Sequence, residues 1–473
     1  MAEVSRLELL SLNEYQKSLY HDKEVKGETT TPFYTSYSKP FFNVQTRVKM
    51  QGTTEGSVIV YTLPHEHHFL VYTYMVTKFP SIRVHPDYRG RVEICWPHNL
   101  GTSHIINGCF SHDTLDIQLI DNLWYDTSGQ YLIKPSIREL YDNAIGNIPA
   151  LEDWSGHLPA YTCAVPQPFY YTKFPGLAFP IGLCDPKSKI THRFNLRLKI
   201  GDLLRMRCRQ GKDSPWSEVT PINFNYLEGV TNKSALDTPE LWARCASVTK
   251  DELSWNQERN IITHYIENVI SVDSPNPVKS GTAVNLPIET QSACRAIFWV
   301  AENVNATKLH NYSNYTTDIS SCYRGHDPIK SISLKYGTHA KIDSLESHHN
   351  SIIEPMFHAK SAPNMFGFHM SCIGHNIDTT EIDSTLALGA LKSMMIINIS
   401  TPDPFLIVDS KSTDDLDYLK KDNKTPERSL TLMSKTGSTE CEYLPKIRLL
   451  ITRRLIFTLK DGNKNGYFEL HMD

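Results

Sequence analysis

The sequence predicts an all-β protein built of two tandem β-sandwiches. Three observations carry this. Short strand-like runs recur between turn residues, long helical periodicity is scarce, and a single charged, helix-like interruption falls just past the middle of the chain. Strand-like runs occupy 58–63, 69–76, 91–95, 115–120, 193–200 and 203–208. The same grammar resumes at 293–300, 329–336, 352–357, 366–373, 391–399 and 447–459. Residues 193–200 alternate apolar and polar, the pattern of a strand with one buried face. Tyrosine (23), phenylalanine (18) and proline (27) are plentiful, as in sandwiches of short strands and tight turns.

The interruption begins at Thr249-Lys250-Asp251-Glu252, which has the spacing of a helix capping box. It predicts a short helix through Arg259, then a strand carrying Tyr265 and Glu267. Asp251, Glu252, Arg259, Tyr265 and Glu267 therefore mark the expected domain junction. The expected organisation is an N-terminal arm over 1–38, a first sandwich over 39–262 and a second over 263–473. Each sandwich spans roughly 200 residues, an ordinary size for an all-β domain. The polar segment 410–439 reads as a long exposed loop between late strands.

The most informative run is PQPFYYTKFPGLAFPIGL, residues 166–183. It predicts an aromatic strand (Phe169, Tyr170, Tyr171) entering a shaped apolar turn, Pro175-Gly176-Leu177-Ala178-Phe179-Pro180. Proline removes a ladder donor and glycine supplies unusual backbone angles. On that basis Gly176→Val is expected to impair folding or assembly. Nothing in the turn can donate a proton, ligate a metal or attack a carbonyl, so its expected role is a brace.

At 473 residues the chain is too long for one core. Its net charge of −4 gives no basis for broad nucleic-acid binding. The ten cysteines are scattered without a Cys-x-x-Cys pair, which predicts reduced, buried thiols rather than a zinc site or disulfide framework. The N-terminus lacks an apolar leader, and the most apolar later stretch, 386–399, carries Lys392 and is too short to cross a bilayer. A soluble protein made in a cytoplasm is expected, with the six Asn-x-Ser/Thr sequons (Asn232, Asn305, Asn311, Asn314, Asn398, Asn423) read as chance occurrences.

Nucleophile elbows, dinucleotide fingerprints and phosphate loops are absent from the sequence. His65-Glu66-His67-His68 and His348-His349 lack metal-ligand spacing and read as solvated turns. Asp414-Asp415 lies in the polar loop. Tyr170 and Tyr171 fit core packing better than sugar stacking. No catalytic, cofactor or metal site is expected.

The order of segments resembles the double jelly-roll major capsid proteins of nucleocytoplasmic large DNA viruses. In that family an aromatic strand precedes a Pro-Gly-Leu-Ala-Leu-Pro type turn; here Phe169-Tyr170-Tyr171 and Pro175 to Pro180 stand in that role. A short acidic–Arg helix and a Tyr-Leu-Ile-Glu-Gln type strand follow, matched by Asp251 to Arg259 and His264-Tyr265-Ile266-Glu267-Asn268. Further likenesses run in order: 292–300 to a strand ending in tryptophan, 327–337 to the next strand and turn, 352–358 to a Val-Gln-Pro-Tyr strand, 364–371 to a Gly-Ile-Tyr-Tyr-Ser strand, and 454–468 to the last hairpin. The chain departs from the pattern after Pro180, where Gly182 to Pro186 replaces a Tyr-His-Glu-Val run, and at 375–384, where a Pro-x-Gly-x-x-Asn-Phe-Ser-Arg signature is missing. It resembles a divergent member.

The resemblance implies two tandem eight-stranded jelly rolls with short helices in loops. It implies a homotrimer with a pseudo-hexagonal outline that tiles an icosahedral shell, neighbouring capsomers and minor capsid proteins as partners, no direct nucleic-acid contact, and an internal viral membrane nearby. It places the protein in the virion, with assembly in the host cytoplasm, no catalytic activity and no cofactor. Two alternatives are a minor capsid or scaffold protein of the same fold, and a carbohydrate-active tandem β-sandwich protein. The second requires a cleft with two facing carboxylates.

Overall fold

Two pairs of antiparallel sheets dominate the computed structural model, which describes residues 44–472 except 56–57, 212–213, 258–260, 289, 291, 375, 379–385, 389–391, 400–440 and 460–466. The expected arm over 1–38, Arg259 and the polar loop 410–439 lie outside the described residues.

In the first half, Val44–Lys49, Glu240–Ser247, Phe69–Phe79 and Tyr161–Pro166 lie side by side. The second sheet runs Gln51–Glu55, Val58–Thr62, Ile190–Leu196, Ile105–His112, Leu115–Asp121. It has a fifth strand because the first strand is split: the chain changes sheets at buried Met50, whose N–H donates to the Leu241 carbonyl at 2.9 Å. Ile190–Leu196 alternates buried and half-buried along its length, as its sequence period requires. Between the sheets sit Ile59, Tyr61, Leu70, Met75, Phe110, Val165, Ile190, Phe194 and Leu241.

In the second half, Ile261–Asp273, Glu442–Leu459, Ala293–Asn303 and His369–Cys372 form one sheet. Ala283–Ile288, Ser393–Ile399, Ile329–Tyr336 and His339–Glu346 form the other. Leu286, Ile297, Trp299, Ile332, Ile397, Leu449 and Ile451 fill the space between them. A helix, Lys250–Gln257, stands between the two halves.

The Ala293–Asn303 strand explains how the halves hold together. It is buried on both faces almost throughout. Ile297, Trp299 and Ala301 belong to the second sandwich's own core, while Ala296, Phe298 and Val300 pack into the core of the first half. The period of two therefore assigns alternate side chains to two different cores. The run 293–301 reads as almost continuously apolar for that reason.

Two expectations need correction. Phe169-Tyr170-Tyr171 is not a strand: Tyr170–Thr172 is a 3-10 turn, and Pro166 and Pro168 just before it remove two of the donors that a ladder would use. Residues 352–357 are helical, forming a π turn, His349–Ile353, that runs into the helix Glu354–His358 with Pro355 in its first turn. Two further helices, Asn122–Tyr131 and Arg138–Ile145, were not anticipated. Asp121 caps the first by accepting from Trp124 N–H at 3.1 Å. Nine of that helix's residues are buried, so it lacks the one-sided pattern that marks a surface helix.

Candidate functional site

The 166–183 run supplies the seam between the halves with its aromatic packing. It connects Tyr161–Pro166 to Ile190–Leu196, strands of opposite sheets. Tyr170 N–H donates to Gln118 Oε1 at 2.8 Å, and the Tyr171 hydroxyl lies 2.8 Å from Thr73 Oγ1 and 2.7 Å from His192 Nε2. Phe169, Tyr170, Tyr171 and Phe179 all pack around the Phe110 ring, with centroids 5.1–6.3 Å away. Both tyrosines are buried, which removes them as sugar platforms. Phe179 exchanges two backbone hydrogen bonds with Leu70 (2.8 and 3.0 Å), and its ring meets Phe457 of the second half at 6.0 Å.

Gly176 is the exception within the turn. Pro175–Leu177 is a 3-10 turn, a Cβ built on Gly176 meets no atom within 4 Å, and its φ is not positive. The expectation of special backbone angles there is therefore corrected. Gly176→Val is expected to shift stability by less than about 1 kcal/mol, the cost of a β-branched residue at an open site. A thermal unfolding comparison checks this.

Of the junction residues, Glu267 is the one the structure ties to the turn. Lys173, two residues before Pro175, places Nζ 2.7 Å from Glu267 Oε1 and 2.5 Å from the Ile377 carbonyl. Arg295 Nη1 reaches the same Glu267 oxygen at 2.5 Å. Burial pulls the Lys173 pKa below its ordinary value, and Glu267 opposes that shift. Tyr265 is exposed and outside this cluster. Asp251 and Glu252 stand on the helix Lys250–Gln257, whose Leu253 packs against the apolar core and whose Gln257 side chain donates to the Gly182 carbonyl at 3.4 Å.

The other ties join residues far apart in the chain and have no local pattern. Arg448, 1% exposed, donates to Asp121 at 3.0 and 2.5 Å and to Asp273 at 2.5 Å. Asp121 is also the cap of Asn122–Tyr131, so one guanidinium fixes that helix to the second sandwich. Removing one member of a buried ion network strands the others. Arg448→Met is expected to cost about 3 kcal/mol, read as a fall in the urea midpoint. Nearby, buried Asp126 accepts from Asn99, Thr102 and, from the second half, the Tyr315 hydroxyl at 2.9 Å. Burial raises the Asp126 pKa, opposed by these hydrogen bonds.

The histidine runs form no cluster. His65 bonds the Ser188 carbonyl, His67 meets Thr46 and Ser247, and His68 accepts from Val248 N–H. Among the described residues no three His, Cys, Asp or Glu side chains are placed to hold a metal ion. Asp414-Asp415 lies outside the described residues. The sequon asparagines Asn311 and Asn314 are buried and hydrogen-bonded within their loop, which closes them to glycan transfer in the fold. No helix among the described residues is long and apolar enough to cross a membrane.

Among the described residues, an exposed apolar ridge stands on the helical segment 349–358. Ile352, Ile353, Met356 and Phe357 all face outward, Phe357 at 73% exposure. Large apolar groups grouped in this way mark an interaction surface.

The model of the family described as large eukaryotic DNA virus major capsid protein matches residues 258–407. The major capsid protein of Lymphocystis disease virus 1 is 25% identical over 336 residues, covering 67% of this chain and 70% of that protein. That of Wiseana iridescent virus is 22% identical over 426 residues, covering 84% of each. The fold superposes on a chain of the PBCV-1 virus capsid with a TM-score of 0.63 at 11% identity, covering 93% of this chain and 99% of that one. It superposes on the Faustovirus major capsid protein with a TM-score of 0.62 at 8% identity, covering 88% and 91%. With the order of strands, the turn and the seam in place, the chain is similar in sequence to major capsid proteins of large DNA viruses and shares the fold of the double jelly-roll capsid proteins.

Proposed function

We propose that this protein is a non-catalytic building block of the capsid of a large DNA virus, and that it works as a trimer with a pseudo-hexagonal outline. The observation that carries this reading is the agreement of sequence likeness over 84% of the chain with fold likeness over 93% of it, both to capsid proteins. The seam supports it mechanically. Two sandwiches that share the Ala293–Asn303 strand between their cores move as one brick, and a shell unit must keep its shape under load. We divide the chain for this purpose into an arm over 1–38, a first jelly roll over 39–262 and a second over 263–473. The turn Pro175 to Pro180 acts as the brace where the two meet.

In this reading the trimer is closed by heterologous contacts, in which one face of each subunit meets a different face of the next. The ridge of Ile352, Met356 and Phe357 is the surface best suited to such a contact. Phe357→Asp combined with Met356→Asp is expected to leave the subunit folded and abolish trimers, since burying two carboxylates at an interface costs several kcal/mol. Size-exclusion chromatography with light scattering checks it; trimers that persist in the variant would remove the ridge from the interface.

Quantitative mass spectrometry of purified particles separates this role from a minor or scaffold role. A principal capsomer is expected at the highest copy number among shell proteins, and a scaffold is expected to be absent from finished particles. The carbohydrate-active alternative finds less support. Three carboxylates of the cleft lined by Trp96, Trp154 and Tyr323 are engaged: Glu152 by His98, Glu218 by Arg205, and Asp318 by the N–H groups of Ser320 and Ser321.

A further inference from the structure

The two halves repeat one plan, and a contact that joins them in one place has its parts left exposed in another. One sheet of each half has the same strand order. It runs Val44–Lys49, Glu240–Ser247, Phe69–Phe79, Tyr161–Pro166 in the first half and Ile261–Asp273, Glu442–Leu459, Ala293–Asn303, His369–Cys372 in the second. In the second half Arg448 stands directly opposite Phe298, so both lie on the sheet face that packs into the first half. Trp124 and Tyr131, of the helix Asn122–Tyr131, meet the Phe298 ring there at 5.6 and 5.3 Å. Asp121 ends the edge strand before that helix and accepts from Arg448 at 3.0 Å.

The first half carries the same receiving face. Arg244 stands directly opposite Tyr72 on the corresponding strands, and Trp242 opposite Tyr74. These four point away from the core that Leu241, Ala243 and Cys245 enter, and all are half-exposed. Arg244 donates to the Tyr72 hydroxyl at 3.2 Å. A solvated sheet face is ordinarily polar, whereas Trp, Tyr and Arg are the residues that interfaces concentrate. The second half carries the same covering parts. His339–Glu346 is the edge strand of its sheet, as Leu115–Asp121 is of its own, and it too ends in a carboxylate and leads into a helical segment. That segment bears the exposed ridge of Ile352, Ile353, Met356 and Phe357. Met356 stands as far beyond Glu346 as Tyr131 stands beyond Asp121. The Glu346 side chain is 75% exposed, with His348 Nδ1 at 3.4 Å.

We propose that the ridge of one copy docks on the Tyr72–Trp242 sheet face of a second copy, with Glu346 paired to Arg244 across copies as Asp121 is paired to Arg448 within the chain. This rests on the trimer proposed above. Three chains of two sandwiches place six sandwiches around a ring, and one kind of contact then recurs, alternately within a chain and between chains. The occupant is a second copy because the chain's own interior shows the fit: an edge strand, its terminal carboxylate and the helix after it lie on this same kind of sheet face. The two surfaces differ, so the contact is heterologous, and three repeats close it. Met356 and Phe357 lose their exposed apolar area against Tyr74 and Trp242, and the ion pair fixes the register.

The test follows trimer mass by light scattering across a dilution series of the full chain, with thermal midpoints to establish folding. Arg244→Glu and Glu346→Arg are each expected to raise the concentration at which trimers dissociate at least about tenfold, and the two together to restore it to within about threefold. A second measurement avoids charge reversal. Arg244→Lys treated with a zero-length carbodiimide is expected to give a cross-link between positions 244 and 346, and heavy and light isotopic copies mixed before assembly are expected to show that it joins different chains. The cross-link decides where a reversal does not fold. Trimers that dissociate at the same concentration in both single variants, with no such cross-link, overturn the docking and leave the trimer standing. Single variants that weaken trimers without rescue by the double overturn the pairing of Glu346 with Arg244. An unsubstituted chain that is monomeric throughout removes the trimer itself, and this inference with it.

Discussion

Gly367→Ala is expected to unfold the protein or lower its thermal midpoint by about 10 °C or more, corresponding to at least about 4 kcal/mol. Gly367 has φ +90, a conformation that an L side chain rarely adopts, and a Cβ built there falls 2.1 Å from the Tyr315 carbonyl oxygen. The contact is with backbone, so no side-chain rotation relieves it. Tyr315 cannot yield easily, because its ring is buried against Phe368 and its hydroxyl reaches across the seam to Asp126. The substitution therefore strains the loop and loosens a tie between the halves together. Comparing it with Gly176→Val separates a glycine that the fold requires from one that it does not. Thermal denaturation of the two variants checks both, and a Gly367→Ala protein with an unshifted midpoint contradicts the geometry.

Acidification is expected to destabilise the protein steeply between about pH 6.5 and pH 4, through two buried histidines. Burial lowers the pKa of His104 to about 4 and that of His192 to about 3. His104 is fixed neutral between the Gly101 carbonyl (2.6 Å) and Thr77 Oγ1 (3.0 Å), and Arg197 adds to the depression. His192 is enclosed by Phe110, Phe169, Tyr171 and Phe194. Below the ordinary histidine pKa of about 6.5 the unfolded chain takes up protons that the folded chain refuses. Stability is therefore complete above that pH and falls as pH drops, by about 1.4 kcal/mol per pH unit for each histidine until its folded pKa is reached. The raised pKa of Asp126 works the other way, since the folded state there binds a proton more readily than the unfolded chain. His104→Gln is expected to remove about half of the slope, whatever its effect on stability at neutral pH. Urea midpoints measured at closely spaced pH values check this, and a flat profile from pH 7 to 5 would contradict neutral burial of both rings.

Much of the architecture was legible because it rests on short-range pattern. The strand Ile329–Tyr336 begins and ends where its apolar run does, and Ile190–Leu196 shows the alternation of one buried face. Errors arose where two local rules competed. Phe169, Tyr170 and Tyr171 favour strands by side chain, but the flanking prolines deny them a ladder. The run at 352–357 is too short for its apolar content to distinguish strand from helix, and there it is helical. The helix Asn122–Tyr131 is buried nearly all round and so carried no amphipathic signature.

The seam was hidden for a different reason. Arg448 and Asp121 are 327 residues apart, and Tyr315 and Asp126 are 189 apart. No window of sequence brings such pairs together; only the docking of the two sandwiches does. Glu267 could be singled out from its place in the junction strand, but its partners Lys173 and Arg295 could not.

The proposed trimer of two-sandwich subunits is tested by the mass and outline of the purified protein. Light scattering combined with negative-stain microscopy is expected to show a particle of three subunits with a hexagonal outline. A monomer that persists at every concentration and salt condition, and particles that contain no trimeric unit of this chain, would contradict it.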